Sequence, residues 1–139
     1  MLAQLRAAEA EAAAGDGKAA ITDLEQLAAS DRAEPVYRSL GDLLAVQRQF
    51  ADGQPPALLA ELEPLTGTDA PWRYSALELR ALAQMKSGDT AAARHTLDDL
   101  LADPRTPPDL ARRAAELLAF LGGPPTADAG GEGAVAETE

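Results

Sequence analysis

At 139 residues the chain has room for one compact domain of ordinary size, not two. It carries 12 basic against 23 acidic side chains, a net charge of −11, so it repels phosphate backbones and is no general nucleic-acid binder. Cysteine is absent and histidine occurs once, which removes disulfide scaffolds, thiolate zinc sites and cysteine nucleophiles and leaves few routes to histidine chemistry.

In chain order, MLAQLRAAEAEAAAG lacks a basic stretch followed by an apolar core, so it reads as a first helix over 2–14 and not as a leader. Nothing in the chain approaches the ~20 apolar residues of a membrane span. Apolar side chains then recur at three and four, the helical spacing. Ile21, Leu24, Leu27 and Ala28 predict a helix over 18–30, and Val36, Leu40, Leu43 and Phe50 one over 34–50. Leu58, Leu62 and Leu65 mark 55–65, and a fifth helix runs over 70–87. Ala93, Leu97, Leu100 and Leu101 mark 89–102, and Leu110, Ala114, Leu117 and Leu121 mark 107–121. Pro71 and the Pro107-Pro108 pair sit where helices begin, at positions that need no amide donor. From Gly122 the chain reads GGPPTADAGGEGAVAETE, with four acids, no basic residue and one valine. Such a composition cannot offset its ordering entropy, so 122–139 is expected to be a disordered acidic tail behind an all-α domain over 1–121.

The breakers between these helices are regularly spaced. Gly15, Gly53 and Gly88 each end one helix and lead into another, at separations of 38 and 35. Aligned on Gly15-Asp16 and Gly88-Asp89, Ala20 meets Ala93, Leu24 meets Leu97 and Leu27 meets Leu100. The small residue lets paired helices approach, and the leucines fill the groove between them. A period near 34 with this layout is that of the tetratricopeptide helix–turn–helix repeat. The expected architecture is a right-handed α-solenoid of antiparallel helix pairs, with seven helices, the last a C-terminal cap. The repeats are divergent: Leu58 stands where alanine is expected, and the aromatic and Leu-Gly positions of the first helix are mostly missing.

The fifth helix adds independent support. Trp72, Ala76, Leu79 and Ala83 fall on one side, and Tyr74, Ala81 and Met85 nearly opposite, at about 100° per residue. Two polar stripes separate them: Arg73, Arg80 and Gln84, then Ser75, Glu78 and Lys86. A surface helix needs one apolar face, and this one has two, as a helix sandwiched between neighbours requires. The closing helix turns Arg112, Arg113 and Glu116 to water.

No motif supports an enzyme or a cofactor. Gly15-Asp16-Gly17-Lys18 lacks phosphate-loop spacing and follows no strand, so it reads as a helix–helix turn. His95 has no triad pattern around it. Asp98, Asp99 and Asp103 lack a calcium-binding loop and read as a solvated face, not a metal site. Trp72 reads as a core anchor. The expected activity is binding. In stacked helix pairs the first helices line a surface suited to peptides or helices. Arg73, Arg80 and Gln84 are the candidate protein-binding residues, because two arginines on an acidic protein suit a carboxylate. Their competing role is to pair with acids on a neighbouring helix.

The stretch from Leu62 to Gly122 resembles the C-terminal part of a tetratricopeptide-like family, alphaproteobacterial relatives of the ancillary SecYEG translocon subunit. The elements that carry the resemblance are Leu62-Glu63-Pro64-Leu65, Pro71-Trp72-Arg73, Gly88-Asp89 with Ala93, and Pro108 with Arg112-Arg113-Ala114. Gly15 to Phe50 is similar but looser. The resemblance implies an inner-membrane protein with one N-terminal span and a periplasmic repeat domain. Its implied partners are the translocon and periplasmic chaperones, and its implied task is to assist exported proteins. This chain lacks the span and the repeat material that precedes Leu2 in such proteins, so a shorter, cytoplasmic relative is the alternative. A second expectation is a self-associating scaffold, a homo-oligomer joined through Leu2 and Leu5 on a first helix that no earlier repeat covers.

Overall fold

The computed structural model describes residues 2–122, which form seven α-helices and one 3-10 turn and no strand. The helices are α1 (Leu2–Ala13), α2 (Gly17–Ala28), α3 (Pro35–Gln49), α4 (Pro55–Leu62), α5 (Arg73–Lys86), α6 (Thr90–Ala102) and α7 (Pro108–Phe120), and the 3-10 turn is Glu63–Leu65. The fold is all-α, as predicted. The expected acidic tail lies, but for Gly122, outside the described residues.

Proline sets several boundaries. Pro35, Pro55 and Pro108 open their helices, where a missing N–H is harmless. Pro64 has no amide to continue α4, so the chain tightens into the 3-10 turn and the helix predicted over 55–65 stops at Leu62. The helix predicted from residue 70 begins at Arg73 instead. Pro71 keeps Ala70 out of helical geometry, and Ala70 N–H bonds the Gly67 carbonyl at 3.0 Å in a turn.

The principal contacts run between consecutive helices, from α1–α2 through α6–α7, and α5 also meets α7. Three apolar clusters fill the spaces. Ala8, Ala20, Leu24 and Ala45 join α1, α2 and α3. Leu43, Val46, Leu58, Leu62, Leu65, Ala76 and Ala83 join α3, α4 and α5, with Trp72 and Leu79 packed against them. Leu77, Ala81, Leu97, Leu100, Leu110, Ala114 and Leu118 join α5, α6 and α7, with Tyr74 beside them. The two predicted apolar faces of α5 pack against different clusters, but the second is made by Leu77 with Tyr74 and Ala81, while the half-buried Met85 joins neither cluster.

Some core assignments shift. Leu101 is 41% exposed, one residue past the α6 stripe that Leu97 and Leu100 complete. In α7 it is Leu118, not Leu117, that is buried with Ala114. Leu5 is not left uncovered, because it packs against the Ala8–Ala20–Leu24 cluster.

The two Gly-Asp joints match in detail. Gly15 and Gly88 have φ of +86° and +81°, the left-handed region that ends a helix cheaply only for glycine. Asp16 and Asp89 then cap α2 and α6, accepting from the Ala19 and Ala92 amides at 3.1 and 3.0 Å. Ala20 and Ala93 are fully buried at equivalent places. The middle joint differs: a side chain on Gly53 would press Gln49 O at 2.8 Å and Leu58 at 2.9 Å. Glycine there makes the room that Leu58 takes in place of alanine.

Two long-range polar contacts tie α3 to α5. Trp72 Nε1 donates to the Val36 carbonyl at 2.9 Å, so the predicted anchor is also a strut. Lys86 Nζ donates to the carbonyls of Phe50, Ala51 and Gly53 at 2.7, 2.9 and 2.9 Å. It lies 5.5 Å from the Phe50 ring centre, a cation at the negative end of α3.

Candidate protein-binding groove

The three residues singled out on α5 are engaged inside the chain. Arg73 Nη1 donates to the Thr66 carbonyl just after the 3-10 turn. Arg80 pairs with Glu63 at 3.4 Å, both partly open to water. Gln84 is 8% exposed, and its Oε1 accepts from Thr96 Oγ1 of α6 at 2.8 Å. Two arginines thus hold the 3-10 turn against α5, and the glutamine serves the α5–α6 contact. Gripping a ligand carboxylate would require Arg73 and Arg80 to release those partners.

A different surface is open. Three depressions follow one another along α1, α3, α5 and α7. The first, about 60 Å³, lies between α1 and α3 beside Leu5, Leu44 and Arg48. The second, about 330 Å³, lies between α3 and α5 and is lined by Leu40, Leu44, Trp72, Ser75 and Leu79. The third, about 370 Å³, lies between α5 and α7 and is lined by Leu82, Leu117 and Phe120. Leu44 is shared by the first two, and Glu78 and Arg113 by the last two. Shared walls make them one groove.

Its geometry follows from the helices. Leu40 and Leu44 are one turn apart on α3, and Leu79 and Leu82 one turn apart on α5, so each pair forms a ridge along its helix. Across the groove, Arg113 of α7 grips Glu78 of α5 through two bonds, Nε at 2.6 Å and Nη2 at 2.9 Å. This bidentate pair fixes the spacing of the two walls and raises the guanidinium pKa, first through the hydrogen bond and then through the Glu78 charge. The arrangement presents half-buried leucines and an aromatic ring between polar rims, which suits an apolar ridge of a peptide or helix.

Leu44 and Leu82 fall outside the stripes read from the sequence. The available signal was a leucine beside each core stripe: Leu44 next to Leu43, and Leu82 between Ala81 and Ala83. A helix that serves the core on one flank and a groove on the other needs just such an off-stripe leucine.

The opposite side, between α2, α3 and α4, is acidic. Glu25, Asp42 and Glu61 line a depression of about 360 Å³. Burial raises the Asp42 carboxyl, and burial followed by the charges of Glu25 and Asp42 raises that of Glu61. The other acids and the histidine disperse. His95 Nε2 lies 3.6 Å from Asp99 on the exposed side of α6. Asp103 instead accepts from Arg105 and, at 3.1 Å, from the Tyr74 hydroxyl. Its carboxyl falls to about 2, chiefly through the Arg105 hydrogen bonds. Among the described residues no three His, Asp or Glu side chains converge as metal ligands. Gly15-Asp16-Gly17-Lys18 is the α1–α2 turn, as read from its spacing.

Comparison of the chain with protein-family models, with curated proteins and with solved structures gives no match.

Proposed function

We propose that this chain is a non-enzymatic protein–protein interaction module that takes an apolar peptide or helix in the groove along α1, α3, α5 and α7. The observation that carries the reading is the continuity of that groove. Every odd-numbered helix contributes to it, and its leucines are half-buried without completing a core cluster of their own. In a solenoid of helix pairs, the first helices of successive pairs line one face. The chain's repeat period, the matched Gly-Asp joints and the two-sided α5 all favour that arrangement. Tyr37-x2-Leu40-Gly41-x2-Leu44 adds a fourth argument, because it follows the aromatic, Leu-Gly and large apolar spacing of a tetratricopeptide first helix. Gly41 has a physical reason to be there: a Cβ would stand 2.8 Å from the Leu24 carbonyl of α2.

With the resemblance of Leu62–Gly122 added, the partners are exported chains or periplasmic chaperones, and the parent protein sits at the periplasmic side of the inner membrane beside the translocon. No described helix is long and apolar enough to cross a membrane, so the tethered version needs a span encoded upstream of Met1. A reading frame that begins at Met1 leaves the cytoplasmic alternative.

The binding reading is tested by selecting peptides from a displayed library and following the emission of Trp72, the single tryptophan, which lines the groove. Leu44→Gln and Leu82→Gln should each weaken a selected peptide by about tenfold or more, whereas Arg80→Ala should change it less than about twofold. Peptides that ignore both leucines and depend on Arg73 and Arg80 would move the site back to the α5 polar stripe.

A further inference from the structure

We propose that the α5–α7 section of the groove takes an arginine or lysine side chain of the bound peptide, a proposal that rests on the peptide-binding reading above. The aliphatic stem of that side chain lies on Leu82, Leu117 and Phe120, and its charge meets Glu116.

The walls and the rim of this section differ in chemistry. Leu82 and Leu117 are half-buried and Phe120 is 79% exposed, so the walls are apolar. The charged groups that line it are Glu78, Glu116 and Arg113. Arg113 is committed to Glu78 through Nε and Nη2. Its guanidinium pKa is raised by Glu78 first, and the charges of Asp109 and Glu116 raise it further against the effect of burial. Three carboxylates therefore surround one guanidinium. Lys86, later on α5, is spent on the carbonyls of Phe50, Ala51 and Gly53. Arg112 reaches Glu116 at 3.2 Å, but the two side chains are 65% and 63% exposed. Such a surface pair is worth ~0–1 kcal/mol and yields to a competitor.

Helical spacing aligns the parts. Asp109, Arg113, Glu116 and Phe120 recur at three and four along α7 and so share one face. Glu116 stands one turn from the Phe120 ring. An alkyl stem tipped by a cation fits that order, since arginine and lysine lay their stems on apolar surface and keep the charged head in water. The ring also offers its π face to the cation. An acidic side chain would meet like charge. With the four acids after Gly122 set aside, the chain's −11 becomes −7, so the field of the whole domain favours the same sign of partner.

The test uses peptides selected by display on the full chain and read by Trp72 emission. Peptides that depend on Leu44 and Leu82 should carry a basic residue, and exchanging it for glutamate should weaken them about tenfold or more. Glu116→Lys should weaken the parent peptide similarly and bind the glutamate version better than wild type does. Glu61→Lys makes the same change in net charge on the opposite, acidic side and should alter affinity less than about twofold. Both positions are exposed, so both variants should keep the wild-type melting temperature or exceed it. Equal losses from Glu116→Lys and Glu61→Lys overturn the proposal, because only long-range charge would then act. So do peptides that need Leu44 and Leu82 yet bear the glutamate exchange without loss, and the groove then stands as a purely apolar site. A library with no peptide that depends on those leucines overturns the peptide-binding reading itself, and this subsite with it.

Discussion

The first three helices and the last three place residues 73 apart in like environments. Ala20 and Ala93, Leu24 and Leu97, and Leu27 and Leu100 are buried in both, and Pro35 and Pro108 each open the third helix. The two triplets differ where their helices touch most closely. Gly41 of α3 lies against the Leu24 carbonyl and the Ala28 amide, while its counterpart in α7 is Ala114, fully buried among leucines. Between the paired helices, Gln84 and Thr96 share a buried hydrogen bond, whereas the counterparts are two acids, Glu11 and Asp23. Glu11 Oε2 is buried with no hydrogen-bond partner among the described residues. The joint and the leucine spacing are thus common property, while separation and polar content are adjusted triplet by triplet.

The largest expected effects test the common part. Leu24→Ala and Leu97→Ala should each cost about 2–5 kcal/mol in denaturant unfolding, because each empties a core position that neighbours cannot fill. If one of them proves nearly silent, the two triplets are not equivalent. The adjusted part should respond with opposite signs of fit. Gly41→Ala forces backbone of α2 aside and should cost about 1–3 kcal/mol. Ala114→Gly leaves space and loosens a helix, costing about 1 kcal/mol.

The smallest effects sharpen the polar difference. Gln84→Ala takes one acceptor from the Thr96 hydroxyl, which keeps the Ala92 carbonyl at 3.1 Å, and should cost about 0.5–1 kcal/mol. Glu11→Ala removes a carboxylate oxygen buried without a hydrogen bond and should raise stability by about 0.5–1 kcal/mol. Installing the pair in the first triplet with Glu11→Gln and Asp23→Thr should raise stability by about 1 kcal/mol. Melting curves read all three.

Helix number and most of the core were legible because both rest on local rules. Apolar spacing at three and four, proline at helix starts and glycine followed by a capping aspartate act within a few residues. The misplacements have equally local causes that a period count overlooks. Pro64 cut α4 short, and Pro71 delayed α5 by keeping its predecessor out of the helix. Leu101 fell outside the core because two leucines in succession cannot both face one side of a helix. The groove was the hardest to read. Its leucines differ from core leucines only in what lies opposite them, and that depends on where α1, α3, α5 and α7 meet.

The polar stripe of α5 shows the same boundary. Arg73, Arg80 and Gln84 share a face by helical geometry alone, and the residue order suffices to place them there. Whether that face meets solvent or a neighbour depends on residues far away along the chain or around a turn: Thr66, Glu63 and Thr96. Charge-bearing side chains reach several ångströms, so their partners are set by the approach of whole elements. Local chemistry in the chain specified seven helices, their caps and their buried stripes. The packing of those helices chose which leucines became core, which became groove, and which arginines were already taken.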